Sequence, residues 1–269
     1  GGELVFNLGP EPNKAWGTGF EAFPESYIRD YPITPVPAFH QGDHTFMDST
    51  IIVLSNAIPG VNIHYTLNGS EPKLKSETYK RPMLLRKNTT VRAFAAGKES
   101  PPSKMIEAHF MKIPKNRKIS ITHPYAGQYA AGGDIALIDF KRGGENFRTG
   151  FWQGYEGVDL EAVVDLGVVQ PVSRVAAGFL QDQGSWIFMP SEVVVLVSVD
   201  GTNFREISRI SNTIDERKTE AITHEFATEI KGTNARFIKV IAKNRGTCPD
   251  WHPGAGGKAW IFTDEITIE

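Results

Sequence analysis

Short apolar runs separated by turn residues make up the hydrophobic pattern of the chain. Apolar and polar residues alternate from Val61 to Leu67, which predicts a half-buried strand, and Asn68-Gly69 follows as a turn pair that favours hairpins. Further strands are predicted in the same region at residues 51–54, 83–85 and 91–95. Because the sequence has no heptads and no strong 3.6-residue period, this pattern predicts an all-β fold.

The second half of the chain carries a longer series of predicted strands, and Asp200-Gly201 joins two of them as a hairpin. The strands of this half are predicted at residues 136–140, 162–166, 172–179, 192–199, 204–210, 222–226, 235–242 and 259–268. Near the start, one isolated strand at residues 4–8 precedes a proline-rich stretch, where each residue before a proline is held out of the α region.

Four segments follow from the pattern. Residues 1–44 are interpreted as the end of a preceding region followed by a proline-rich linker. Residues 45–111 have the size and the short strands of an immunoglobulin-like sandwich. Residues 112–118 form a basic linker, and residues 119–269 form a second, larger all-β domain.

Charge and composition exclude several classes of protein. The net charge is −2, from 29 Lys+Arg and 31 Asp+Glu, so the chain lacks the basic surplus of a nucleic-acid or anionic-membrane binder. No run of apolar residues is long enough to cross a membrane. Cys248 is the only cysteine, which rules out an internal disulfide framework. We expect a monomer that binds no nucleic acid and does not insert into membranes.

Motifs for catalysis are missing from the sequence. Neither G-x-S-x-G nor H-E-x-x-H occurs. Several carboxylates cluster between residues 134 and 161, but a chain with 31 acidic residues produces such clusters by chance. Gly17 to Ala22 matches a dinucleotide fingerprint by letter, but the strand and helix that such a site needs are not predicted around it. The chain by itself is therefore not expected to be an enzyme.

The middle segment resembles a known accessory module. Residues 65–72 read YTLNGSEP, and Tyr79 and Pro82 follow. This segment resembles the C-terminal module of chitobiases and β-hexosaminidases, with Asn68 where that family usually has Asp. The resemblance covers residues 45–111 and implies an immunoglobulin-like domain without catalytic activity.

The last segment carries several short motifs in a recognisable order. They are VDLG at 164–167, VSVDGTNF at 197–204, ARFIKV at 235–240 and DEI at 264–266. This order resembles the coagulation factor 5/8 type C (discoidin) domain over residues 119–269. The resemblance implies a β-sandwich jelly roll of a kind often used to bind galactose-type and other sugars.

The first 17 residues, GGELVFNLGPEPNKAWG, resemble the C-terminal end of bacterial calcium-dependent exo-α-mannosidases of the α-1,2-mannosidase family. The resemblance implies the C-terminal portion of an exported α-mannosidase, with its own upstream catalytic domain as a partner. A β-hexosaminidase parent is the alternative, because both accessory modules also follow hexosaminidases.

Glycan is the ligand that two segments rich in Gly, Pro and aromatic residues suggest, at residues 181–188 and 244–253. A pyranose needs an aromatic face for its apolar side and charged or amide groups for its hydroxyls. The candidate ligand-binding residues are Trp186, Asp182, Trp251, His252 and Arg245. The alternative is a structural scaffold or spacer that packs on the catalytic domain. Exposed aromatics on these loops favour binding, and buried ones favour scaffolding.

Calcium is the cofactor that the discoidin resemblance implies, because in that family one ion joins the first long loop to the last strand. By position its ligands are the Asp139 and Glu265 carboxylates, Thr149, and backbone carbonyls near Ala136 and at Asp264. Residues 141–148 depart from the family, since this part of the loop is usually shorter and here carries basic residues. An Arg–carboxylate pair in place of the cation is the alternative.

Overall fold

The computed structural model describes residues 33–42, 44–98 and 100–269. The strands in these ranges are, in chain order, β1 (Ala38–Gln41), β2 (Thr45–Phe46), β3 (Thr50–Ser55), β4 (Asn62–Thr66), β5 (Glu77–Thr78), β6 (Met83–Leu85), β7 (Thr89–Ala96), β8 (Ile106–Lys112), β9 (Lys118–Ile121), β10 (Gln153–Glu156), β11 (Leu160–Gln181), β12 (Glu192–Ser198), β13 (Arg205–Ser211), β14 (Ile222–Ala242) and β15 (Trp260–Ile268). Short 3-10 helices span Gly127–Tyr129, Asp134–Ile138, Phe147–Thr149 and Gln183–Ser185.

This architecture confirms the predicted all-β fold class. The strand predicted at 4–8, and the 17 residues that resemble α-mannosidases, lie outside the described residues. Within the described ranges, no helix has the length and apolar character needed to span a bilayer.

Two compact units make up the described chain. One contains residues 53–82 and 90–108 with the described residues up to Gln41, and the other contains residues 42–52, 83–89 and 109–269. The segment limits at residues 44, 111 and 118 stay predictions. Ala38–Gln41, which fall in the predicted linker, form β1 and pair with β3 directly after Pro37.

Two small sheets occupy the first part of the described chain, in the orders β1-β3-β6 and β2-β8-β7-β4-β5. The strand predicted near Val61 is β4, which pairs antiparallel with β7, but its burial does not alternate, because the neighbours Ile63 and His64 are both buried. Every second residue of β7, from Val91 to Ala95, is fully buried. The chain bends at Asn68-Gly69, where Gly69 has a φ of +74° that side chains disfavour, but residues 67–76 separate β4 from β5, so the pair does not close a two-residue hairpin.

One seven-stranded sheet forms the larger sandwich, in the order β10-β15-β11-β14-β12-β13 with β9 paired to β11. Strands β11 and β14 are 22 and 21 residues long and pair with each other along most of their length. Their register shifts between Asp165 and Gln170 and again near Val172. These irregularities bend both strands, so that each strand contributes to both layers of the sandwich. Apolar side chains from both halves, such as Val164 and Phe179, meet in one core.

Three sequence expectations change in this domain. The predicted strand at 136–140 is wrong, because Asp134–Ile138 form a 3-10 helix. A short buried apolar run is compatible with either structure. The predicted breaks within β11 and β14 are instead bulges or continuous strand, since Gly167 and Pro171 bend β11 without ending it.

Candidate functional site

Trp186 projects from a tight loop that follows β11. Asp182 and Ile187 exchange backbone hydrogen bonds of 3.0 and 3.1 Å, which close the loop. The Ser185 hydroxyl donates to the Asp182 carboxylate at 2.8 Å. Trp186 itself adopts a left-handed conformation, with φ of 66°, which turns its side chain outward and leaves it 41% exposed.

A second loop, residues 244–259, supports the Trp186 ring. A Cβ atom at Gly254 would lie 2.6 Å from the indole, and one at Gly257 would lie 2.9 Å from it. The ring therefore rests directly on the backbone of two glycines, at a distance that no other residue permits. Trp260 N–H also donates to the Trp186 carbonyl at 2.9 Å, which ties the loop to β15.

His252 is buried and connects the two loops. The Gly254 N–H donates to its Nδ1 at 3.0 Å, so the ring proton is on Nε2, which donates to the Gln183 carbonyl at 2.7 Å. Its ring lies edge-on to Trp186, with centroids 6.5 Å apart, and edge-on to Trp251 at 5.7 Å. Only 3% of His252 is exposed, so it supports the aromatic residues instead of presenting a free ring.

Trp251 and Arg245 share the carboxylate of Glu216. The Trp251 Nε1–H donates to Glu216 Oε1 at 3.2 Å, and Arg245 forms an ion pair with Oε2. The Arg217 guanidinium lies over the Trp251 ring, 4.7 Å from its centroid, so one face of this indole is covered. Arg245 also lies 4.8 Å from the ring of buried Phe188. Both predicted residues are half-buried and already have partners.

The structure thus brings all five predicted ligand-binding residues to one end of the sandwich, but with unequal access. Trp186 is exposed, Asp182 is half-buried beside it, and His252 is buried beneath. Whether they bind glycan stays a prediction. Glu216 and the two glycines were missed by sequence reasoning. Only the GAGG run at 254–257 offers a signal, because residues without a large side chain let a ring approach the backbone closely.

Cys248 lies in the same end of the domain and is buried with Phe188 and Ala259. Burial raises the pKa of its thiol above the ordinary value, an effect that Arg245 partly opposes. A thiol held in its protonated form is a poor nucleophile. This is consistent with an inert cysteine.

The residues predicted to bind calcium lie in and directly after the 3-10 helix Asp134–Ile138, in the turn Phe147–Thr149 and within β15. Asp139, Asp264 and Glu265 are all buried, and the Phe140 N–H donates to Glu265 Oε2 at 2.8 Å. Thr149 is exposed, and its hydroxyl donates to the Asn146 carbonyl within its own turn at 3.0 Å. Among the residues that the structure describes, no group of three or more His, Cys, Asp or Glu could hold a metal ion. Calcium binding stays a prediction.

Burial raises the pKa of Glu265 to about 8, and the nearby Asp139 and Asp264 add to the shift, while the Phe140 N–H opposes it. The folded-state pKa lies above the ordinary value of 4.5, so this carboxyl stabilises the fold fully below pH 4.5. That contribution is lost as the pH rises through 8.

We therefore expect the wild-type protein, kept in chelator, to lose on the order of 2 kcal/mol of unfolding free energy between pH 6 and pH 9. Urea unfolding at the two pH values measures this loss. Glu265→Gln cannot titrate and should lose less. Equal losses in both proteins would show that Glu265 does not titrate in this range.

We call the Trp186 indole and the two loops that hold it, residues 181–188 and 244–259, the Trp186 platform. Gly254→Ala is a steric test of this arrangement. The new methyl group would overlap the indole, so we expect Trp186 to be displaced and its fluorescence emission to shift to the red as the ring meets more water. Gly184→Ala is the matched control in the neighbouring loop, since its Cβ would meet only the Asp182 carboxylate at 3.8 Å. Identical emission spectra for both variants and the wild type would contradict the described placement of the ring.

Two models of known protein families match parts of this chain. The model of the F5/8 type C domain matches residues 87–261, so the chain belongs to the F5/8 type C domain family. This confirms the resemblance drawn from the last segment. A second model, described as Fn3 associated, matches residues 52–110. No curated protein matches the chain.

Solved structures similar to this chain include the C-terminal domain of a chitobiase from Bacteroides fragilis, with 20% identity and a TM-score of 0.39, covering 58% of this chain and 95% of that one. A CBM32 module from Clostridium perfringens, solved in complex with GalNAc-β-1,3-galactose, has 24% identity and a TM-score of 0.36, covering 58% and 97%. A CBM32 module from a family 31 glycoside hydrolase of the same organism has 13% identity and a TM-score of 0.35, covering 56% and 90%.

Proposed function

We propose that this chain is a non-catalytic, carbohydrate-binding region of an exported glycoside hydrolase, and that it binds glycan at Trp186. The observation that carries this proposal is the 41% exposed indole supported on a glycine backbone at one end of the β-sandwich. An exposed aromatic face suits the apolar side of a sugar ring, and the Asp182 carboxylate beside it suits the hydroxyls.

Exposure also favours this function over the scaffold alternative. A loop aromatic that packed only within the protein would be covered, whereas Trp186 is open while the residues under it are satisfied by other contacts. Buried support beneath an exposed ring is the arrangement of a preorganised site, which lowers the entropic cost of binding. A single site of millimolar affinity corresponds to only about −4 kcal/mol. Tethering to a catalytic domain makes such affinity useful through effective concentration.

A glycan array with the purified chain tests the proposal. We expect retention on one class of sugar, at a density that permits multivalent capture. Trp186→Asn serves as the negative control, because it removes the ring and keeps a residue that tolerates the left-handed conformation. A blank array for the wild-type chain would favour the scaffold function.

The parent enzyme that we propose is an α-mannosidase, on the strength of the segment GGELVFNLGPEPNKAWG at residues 1–17. The coding sequence immediately upstream of Gly1 tests this. An α-mannosidase catalytic region there would support the proposal, and a β-hexosaminidase region would replace it with the alternative parent.

A further inference from the structure

Basic residues after Asp139 occupy the position where the fold family suggests a divalent cation. The Lys141 backbone N–H donates to Asp139 Oδ1 at 3.0 Å, and the Lys141 Nζ lies 3.1 Å from Oδ2. Asp264 of β15 accepts from the Gly143 N–H, 2.9 Å from its Oδ2, and Arg142 Nη1 lies 3.3 Å from its Oδ1. Both carboxylates therefore already have a donor on each oxygen.

The carboxylate of Glu265 is only partly paired with hydrogen-bond donors. Its Oε2 accepts from the Phe140 N–H, and among the three carboxylates only its Oε1 has no hydrogen-bond partner. Calcium requires about six to eight oxygen ligands. Of the two predicted carboxylate ligands, Asp139 has a Lys141 donor on each oxygen, which an ion would have to displace, and Glu265 accepts from the Phe140 N–H on one oxygen. The donor set as it stands does not fit calcium.

We propose that the Arg142 guanidinium takes the structural role that the fold family assigns to that cation. It joins the loop of residues 139–149 to the sheet, so that the domain is stable without calcium at this position. The inference does not depend on glycan binding, because it concerns the loop and β15 and not the Trp186 platform.

Arg142 reaches two strands at once. Besides Asp264, its Nη2 forms an ion pair with Glu225 of β14 and donates to the Thr267 hydroxyl of β15 at 3.0 Å. The guanidinium offers five N–H donors in a rigid fork, so one side chain can bridge several acceptors. A lysine has a single nitrogen and cannot match this geometry.

Gly178 of β11 gives an independent indication that the pair is built into the fold. A Cβ atom at this position would lie 2.1 Å from Asp264 Oδ1 and 2.5 Å from Arg142 Nη1. The ion pair therefore lies directly on the β11 backbone. Only glycine leaves room for it there.

Charge balance points the same way. Lys141 faces Asp139, and Arg142 faces Asp264. Calcium affinity depends on the negative charge that the ligands bring. With a cation beside each of these two carboxylates, this position attracts a divalent ion less than it would if they were unpaired.

Thermal unfolding of the purified full chain, stripped with chelator, is the first measurement. We expect the Tm to change by less than about 1 °C when 5 mM CaCl2 replaces chelator, since an ion that binds only the folded state raises Tm in proportion to ln(1 + [L]/Kd). A rise of about 5 °C or more, abolished in Glu265→Gln, would overturn the inference.

The second measurement is the Tm of Arg142→Gln in chelator. We expect a loss on the order of 5 °C, because Asp264 would stay buried without its cation. Arg148→Gln is the matched control, since this exposed guanidinium from the same loop only stacks on Phe147, 4.3 Å from the ring. If Arg142→Gln proved as stable as the control, Arg142 would not be the link, and the inference would fail. If Arg142→Gln did not fold, the calcium measurement on the wild type would still decide.

Discussion

Replacing Trp186 by asparagine should reduce glycan retention by a factor of about 30 or more, while the domain keeps its Tm to within a few degrees. A central aromatic contact is worth about 2 kcal/mol in a binding site, which corresponds to this factor. The fold should tolerate the change because the side chain is 41% exposed and asparagine accepts the left-handed backbone at this position. Affinity electrophoresis against the sugar selected on the array, together with thermal unfolding, measures both effects.

Phe151→Asn is the matched control for this prediction. Phe151 is another exposed aromatic of the same domain, at 43% exposure, but it lies outside the two loops that form the platform. Its loss should leave retention unchanged. If Phe151→Asn weakened retention and Trp186→Asn did not, the proposed site would be in the wrong place.

His252→Ala should have the largest effect on stability among the predicted site residues. The side chain is 3% exposed, and its removal leaves a cavity, an unpaired Gly254 N–H and an unpaired Gln183 carbonyl. The expected cost is about 3 kcal/mol. For a domain of this size, that corresponds to a fall in Tm of roughly 10 °C. Glycan retention should fall as well, because the two loops lose their connection.

Comparing the two variants distinguishes a residue that supports the site from a residue that contacts the glycan. Trp186→Asn should lose binding and keep stability, whereas His252→Ala should lose both. His40→Ala is the control for the loss of a histidine as such, since His40 is exposed in β1. A His252→Ala protein with unchanged Tm but no retention would show instead that the imidazole contacts the glycan directly.

Much of the fold could be predicted because the relevant signals are local. The apolar–polar alternation that indicated β4 and the period of the strands in the second half each involve only a few neighbouring residues. The prediction failed at Asp134–Ile138, where a short apolar run is buried in a 3-10 helix. It also failed within β11, where Gly167 and Pro171 form a bend and do not end the strand.

The candidate site was predictable in composition but not in role. Sequence reasoning grouped Trp186, Trp251 and His252 because they lie in segments rich in Gly and Pro. It could not assign which ring is exposed, because exposure depends on contacts between residues far apart along the chain. Gln183 and His252, for example, are 69 positions apart and meet at 2.7 Å.

The sequence by itself therefore determined the all-β class, the family of the last domain and the two loops that carry the candidate site. These follow from side-chain period, turn chemistry and short motifs. Only the tertiary structure decided that Trp186 is the open ring and that Glu216 pairs with Arg245. It also placed Arg142 against Asp264, because burial and ion pairing arise only when β11, β14 and β15 are brought side by side.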